Sequence, residues 1–373
     1  MKVRVERDVL ADAVAWAART LPSRPSLPLL AGLLIETNDT DGLTLSGFDY
    51  ETSARVVLNA DVAGKGKVLV SGRLLADIAR ALPAAPVELS LDGSRLAVTC
   101  GRSSFVLPTL SVDDYPALPQ MPGSSGTITG SAFAEAVAQV AIAAGRDDTL
   151  PTLTGVRMEI EGNTITLAAT DRYRLAVREV QWSPARPSFE SQALVPARVL
   201  ADTAKSLASA AEVHIALAGD GLIGFEGHGR RTTTRLLDGD FPKYRALLPS
   251  ESSTLVSIET AALVEAVKRV ALVAERNTPV RLAFSGNEVL LRAGAGDEAQ
   301  ATEAAECRIE GDGLEIAFNP QYLLDGLGAV DAPITTMSFT ASSRPSVLQG
   351  VPDMDTQATG EYRYLLMPVR LAG

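Results

Sequence analysis

The sequence predicts an α+β protein built from three copies of one unit, each copy two helices backed by antiparallel sheet. Three observations carry that prediction. First, the 373-residue chain is similar to itself: Val70-Ser71-Gly72-Arg73-Leu74-Leu75-Ala76-Asp77 lines up with Val195-Pro196-Ala197-Arg198-Val199-Leu200-Ala201-Asp202 at an offset of 125, and then with Phe318-Asn319-Pro320-Gln321-Tyr322-Leu323-Leu324-Asp325 at a further 123. Second, Leu10, Val14, Ala17 and Leu21 mark one stripe of an amphipathic helix, and Leu10, Ala13 and Val14 recur as Phe133, Ala136 and Val137, then as Leu263, Ala266 and Val267. Third, the remainder is short apolar alternation interrupted by Asp41-Gly42, Asp92-Gly93, Gly162-Asn163, Asp220-Gly221 and Gly286-Asn287, which read as hairpin turns.

Each element follows in order. Ser131 and Thr260 stand where N-caps of the first helix belong in the second and third copies, and Ser71 and Asn319-Pro320 stand before second helices. Pro/Gly/Ser breaks at Pro116 to Ser125 and Pro249 to Ser253 divide the chain into expected domains 1–122, 123–250 and 251–373.

Composition then excludes several functions. With 34 basic against 45 acidic side chains, the net charge is −11, and bulk electrostatic attraction cannot be how such a chain holds nucleic acid. Lys2, Arg4, Glu6, Arg7 and Asp8 interrupt any apolar leader, and no run of eighteen apolar residues exists, so a soluble, cytoplasmic protein without membrane contact is expected. Cys100, Cys307, His214 and His228 complete neither a disulfide framework nor a metal-ligand spacing; no metal, cofactor or catalytic residue is expected. Gly219, Gly221 and Gly224 match G-x-G-x-x-G, but strand-like residues follow where a dinucleotide site needs a helix, so a hairpin is the reading. Gly64-Lys65-Gly66-Lys67 lacks the ending of a phosphate loop. The pairs Asp113-Asp114 and Asp147-Asp148 leave a carboxylate-based, metal-dependent hydrolase as an unfavoured alternative of another class.

Two segments stand apart. Thr170-Asp171-Arg172-Tyr173-Arg174-Leu175 sets arginines around a tyrosine just after an apolar run, and Tyr364-Leu365-Leu366-Met367-Pro368-Val369-Arg370-Leu371 ends in a proline-interrupted apolar stretch. Pro368 makes the tip of that stretch an edge or an irregular segment. Together the two could line one groove.

Over essentially its whole length the chain resembles the bacterial sliding clamps, the beta subunit of the replicative DNA polymerase III. Arg24 to Leu30, Leu45 to Glu51, Phe105 to Pro116, Thr170 to Leu175, Asp238-Gly239-Asp240-Phe241-Pro242 and the Met367 to Leu371 ending carry the likeness, in this order and at these spacings. The resemblance implies three clamp domains per chain and a head-to-tail homodimer closing into a ring around duplex DNA, sheets outside and helices inside. The acidic charge fits that arrangement, because a ring holds DNA by linkage and needs only weak, sequence-blind phosphate contacts. The expected function is a DNA-tethering processivity factor in DNA replication, with no enzymatic activity.

By the same resemblance, duplex contacts fall on Arg24, Arg73, Arg80, Arg146, Arg198, Lys205, Lys268 and Arg269. A peptide-binding pocket falls on Leu153, Thr170, Arg172, Tyr173, Arg174, Leu175, Pro242, Ala246, Leu247, Leu365, Leu366, Met367, Pro368, Val369 and Arg370. Its expected partners are the polymerase alpha subunit, the clamp loader and other proteins carrying a clamp-binding motif. Two buried apolar anchors contribute about 3 to 6 kcal/mol before ordering costs, so partners should exchange. The dimer interface is expected to set Phe105 and Leu107 against Leu272 and Val273. Arg172 and Tyr173 depart from other branches of the family, and Ala372 and Gly373 run past its usual terminal leucine. An alternative within the family is a second clamp that replaces the housekeeping ring when a pocket-binding antibiotic is present.

Overall fold

The computed structural model describes residues 1–37, 42–219, 221–274, 278–294 and 299–370. Asp41, Asp220, Leu371, Ala372 and Gly373 lie outside the described residues. One order of elements occurs three times: strand, helix, five strands, helix, three strands. The helices are α1 (Arg7–Ala17) and α2 (Gly72–Ala81) in the first copy, α3 (Gly130–Ala141) and α4 (Ala197–Ser206) in the second, and α5 (Thr260–Val270) and α6 (Pro320–Val330) in the third. Leu10, Val14, Ala17 and Leu21 are all buried, as their spacing requires, although α-helix gives way to a 3₁₀ turn at Ala18–Thr20 before Leu21 is reached.

The caps are less uniform than the sequence suggests. Asn319 accepts hydrogen bonds from the backbone N–H groups of Gln321 and Tyr322 at 3.0 and 3.1 Å, a full N-cap. Ser71 holds the N-cap position of α2 without a side-chain bond, Ser131 falls one residue inside α3, and Thr260 is the first residue of α5, its hydroxyl paired with that of Thr335 at 2.9 Å. The hairpins fall where the dipeptides put them: Gly162 and Gly286 take φ of +59° and +63° in two-residue turns that bring Glu161 opposite Thr164 and Ser285 opposite Glu288. Gly224 sits within the strand Leu222–Gly227, paired with Ala216, so the G-x-G-x-x-G spacing is a hairpin.

The chain forms two compact units, and the division runs through the second copy. The first unit is Met1–Ser131, Ser183–Arg186 and Ser206–Leu236. Its fourteen-stranded sheet joins two copies where Thr52–Asn59 pairs antiparallel with Arg230–Arg235, Thr52 opposite Thr234. Val3, Leu10, Val14, Leu33, Leu45, Val70, Leu75, Leu89 and Val98 belong to its main core beneath α1 and α2.

The second unit is Ala132–Trp182, Pro187–Lys205 and Leu237–Gly373. Its nine-stranded sheet makes the corresponding junction between the second and third copies: Arg174–Gln181 pairs with Tyr362–Leu366, Arg174 opposite Leu366 and Leu175 opposite Leu365. The C-terminal apolar run is thus a central strand that stops before Met367, as Pro368 dictates. A four-stranded sheet completes this unit, with Ala301–Glu306 at one edge.

Tyr364, fully buried on that last strand, passes beneath α6 because Gly326 has no side chain: a Cβ there would lie 2.4 Å from the ring. Gly326→Ala should therefore destabilise the protein by about 1 to 3 kcal/mol through overpacking, against the gain of roughly 1 kcal/mol that alanine brings to a helix interior. Denaturant unfolding checks it, and an unchanged midpoint would show that the ring has room to move.

Candidate functional site

The site grows from a tight turn. Asp171 accepts the backbone N–H groups of Tyr173 and Arg174 at 3.0 and 3.1 Å, and Arg172 at the apex takes a φ of +80°. Thr170, buried, donates its hydroxyl to the Arg174 carbonyl at 2.6 Å and accepts the Arg172 N–H at 3.2 Å. These bonds hold Arg172 in a left-handed conformation that a non-glycine residue seldom adopts.

Below the turn, Arg174 is buried and fully paired. Its guanidinium donates to Asp171 at 2.9 Å and to Asp325 of α6 at 2.6 Å, and it lies 4.4 Å from the centre of the Tyr322 ring. Burial alone would weaken its charge, but Tyr364, Asp325 and Asp171 offset that and hold its pKa above the ordinary value. A buried charge is stable only when satisfied in this way, and here the satisfaction fastens the turn of the second copy to the helix of the third. Tyr364 adds a bond from its hydroxyl to the Tyr322 carbonyl at 2.8 Å.

Two surfaces flank this anchor. One is an apolar cluster of Ala168, Leu175, Val177, Tyr244, Val347 and Leu365, with Phe241 and Leu248 packed against it. Its rim leaves Leu247 and Met367 half-exposed, at 51% and 40%. The other is an open cleft of about 580 Å³ lined by Leu150, Leu153, Arg146, Arg172, Tyr173 and Tyr322, among others. Tyr173 stacks on Tyr322 with ring centres 6.2 Å apart.

Of the residues expected in the pocket, Leu153, Thr170, Arg174, Leu175, Leu365 and Leu366 are buried beneath it. Arg172, Tyr173, Pro242, Ala246, Leu247, Met367 and Arg370 are exposed, and Pro368 and Val369 are half-buried. The tail after the last strand is tied down by bonds from the Met367 N–H to the Tyr173 carbonyl at 2.9 Å and from the Val369 N–H to Ala317 at 2.8 Å. Sequence reasoning missed Tyr244, Val347, Tyr322 and Asp325. Only Tyr322 and Asp325 carried a signal, as residues just after the Asn319-Pro320 cap.

Tyr244 is held by a second polar anchor. Its hydroxyl donates to Glu159 at 2.9 Å, and Arg245 and Arg157 reach the same carboxylate at 2.6 and 3.3 Å. Burial would raise the Glu159 pKa, but the bonds from Tyr244, Arg245 and Arg157 hold it below the ordinary 4.5. Asp147, at the cleft, is likewise lowered, by the Thr149 hydroxyl and N–H and then by Arg172.

The expected duplex-contacting side chains are all exposed. Arg73 and Arg80 on α2 and Arg198 and Lys205 on α4 occupy equivalent positions, seven residues apart, which puts each pair on one helix face. Lys268 and Arg269 on α5 pair with Glu265 and Glu303. Arg24 is exposed before the turn Pro28–Ala31, and Arg146 lines the cleft. At the expected dimer interface Leu272 is 84% exposed and Val273 half-buried. Leu107 requires correction: it is 1% exposed inside the first unit's own core, so it cannot meet a partner, whereas Phe105 and Val106 beside it are 37% and 57% exposed.

Comparison with known proteins places this geometry. Family models of the DNA polymerase III beta subunit match in series: the N-terminal domain at residues 1–119, the central domain at 127–243 and the C-terminal domain at 245–370. The chain belongs to that family, the bacterial beta sliding clamps. It is 61% identical to the beta sliding clamp of Streptomyces coelicolor, covering all of both chains, and 47% identical to the beta sliding clamp homolog GriR of Streptomyces muensis over 99% of each. The crystal structure of a Pseudomonas aeruginosa sliding clamp bound to griselimycin superposes with a TM-score of 0.91 at 28% identity over all of both chains.

A carboxylate whose folded pKa is depressed stabilises the fold above its ordinary pKa and loses that contribution as pH falls through the depressed value. Below pH 4.5 the wild-type melting temperature should therefore fall more steeply than that of Glu159→Gln. Parallel curves for the two would show that the Glu159 cluster contributes nothing pH-dependent.

Proposed function

We propose that the chain works as a DNA sliding clamp: two copies close head to tail around duplex DNA and tether the polymerase and other partners through the site at the turn of Arg172. One observation supports closure above all. At each junction between copies, the fourth strand of one copy pairs with the last strand of the next: Thr52–Asn59 with Arg230–Arg235, then Arg174–Gln181 with Tyr362–Leu366. The third copy's equivalent strand, Ala301–Glu306, ends its sheet without a second partner among the described residues. The first copy's last strand, Ser103–Leu110, pairs along 103–108 only with Arg95–Cys100. These edges are the two halves of a missing third junction, and a second chain supplies both at once, in the isologous way that two-fold symmetry demands. Leu272 and Val273 against Phe105 and Val106 would give that interface its apolar core.

Domains at 1–122, 123–250 and 251–373 follow from the threefold order of elements. Arg24, Arg73, Arg80, Arg198, Lys205, Lys268 and Arg269 would touch phosphates without reading sequence. A chain of net charge −11 with no group of three or more metal-ligating side chains among its described residues suits a tether without catalysis, working in the cytoplasm. The higher identity to the Streptomyces coelicolor clamp than to GriR favours the replicative ring over a duplicate kept for antibiotic resistance.

The native mass should be that of a dimer, about 78 kDa for two chains of 39.2 kDa, and a stable monomer in dilute buffer would overturn the ring. Leu272→Asp should open it, because closure would bury an unpaired charge; a dimer unmoved by that change would put the interface elsewhere. Removing residues 367–373 should abolish the binding of partner peptides and leave the dimer intact. Unaltered peptide affinity would move the docking site away from the C-terminal segment.

A further inference from the structure

We propose that Arg146 and Arg172 make one wall of the cleft a carboxylate-selective subsite, so that the docking site favours partner segments bearing an aspartate or glutamate beside their apolar anchors. This rests on the docking site proposed above and names the chemistry it selects.

The charges lining the cleft are unevenly used. Asp171 and Asp325 are both engaged with Arg174, and Asp325 also accepts from Gln321 at 2.7 Å. Asp147 accepts the Thr149 N–H and hydroxyl at 3.0 and 2.6 Å, though its charge still reaches Arg172. Arg146 and Arg172 are exposed and form no ion pair among the described residues. They are therefore the two cations the cleft presents to an incoming group.

The repeat separates architecture from chemistry. In the first copy the same turn recurs: Asp49 accepts the N–H groups of Glu51 and Thr52 at 3.0 and 2.6 Å, and Tyr50 takes a φ of +76°. The left-handed apex belongs to the fold, but the positive charge on it belongs to the second copy alone. The apex fixes where the Arg172 backbone stands before any partner arrives, which lowers the ordering cost of binding. Arg172 also lies 5.9 Å from the centre of the Tyr173 ring, itself stacked on Tyr322. An aromatic wall of this kind excludes water on one side and strengthens a charge-assisted bond. A planar guanidinium can meet a carboxylate through two parallel bonds, which an amide or an ammonium ligand cannot reproduce.

The test uses the full-length protein and a peptide array built on one fixed Leu-Phe anchor pair, with Asp, Asn or Lys walked through three positions on either side. At one or two adjacent positions the Asp peptide should bind about threefold to tenfold more tightly than the Asn peptide, with Lys weakest, and added salt should shrink the difference. Arg172→Asn, which tolerates the left-handed apex, and Arg146→Gln should each bring the Asp-to-Asn ratio toward one. Asp147→Asn should raise it, since a competing charge is removed. Equal binding of Asp and Asn peptides at every position would overturn the selectivity while leaving the docking site in place. Failure of every peptide in the array would overturn both. If Arg146→Gln weakened retention on duplex DNA and left the ratio untouched, Arg146 would belong to the DNA, and the two-arginine wall would be refuted.

Discussion

Antiparallel pairing between one copy's fourth strand and the next copy's last strand is the constraint on which the structure depends. Unpaired strand edges invite association, and this chain resolves two of its three junctions internally, one in each compact unit. What remains is an edge in the first unit and an edge in the second, which no rearrangement of either unit alone would satisfy. A repeat that leaves one donor edge and one acceptor edge assembles head to tail by its own logic. With three copies per chain, two chains suffice to close.

The same constraint locates the docking site. Both internal junctions bring a turn with a left-handed apex close to a strand of the following copy, yet their chemistry differs. At the first junction Ser53 faces Thr233 and Thr52 faces Thr234, and the paired hydroxyls bond at 2.6 and 3.0 Å. At the second, Leu175 faces Leu365 over a core of Tyr244 and Val347, and the Arg174 pairings lie beside it. Hydroxyls satisfied by each other offer nothing to an apolar anchor, whereas leucines beneath a half-exposed rim do. One fold therefore yields a structural junction and a functional one.

Much of this was legible in the sequence because repetition is a strong signal: the offsets of 125 and 123 set the threefold order, and turn dipeptides with apolar alternation set the hairpins. The pocket residues near Thr170 and the chain end were legible for a different reason, as segments whose chemistry the fold did not require. The hydroxyl of Tyr244 on Glu159, the contribution of Val347 to the floor and the double pairing of Arg174 were not legible, since each joins residues far apart in the chain whose types are unremarkable where they stand. Leu107 failed for a local reason: alternation along Ser103–Leu110 alone does not say which face of the strand meets the core. Ser131 and Thr260 show the usual uncertainty of helix starts, where a good capping residue falls one position late.

The charge of the chain points to how DNA is held. At −11 overall, with pairs of cations confined to single faces of α2 and α4, the protein has too little positive surface to grip a duplex and enough to lubricate one. Retention must then come from closure. The decisive measurement loads the protein onto nicked circular duplex and follows its dissociation before and after one restriction cut. Topological capture predicts long residence on the circle and rapid loss from the cut ends; equal residence on both would contradict it.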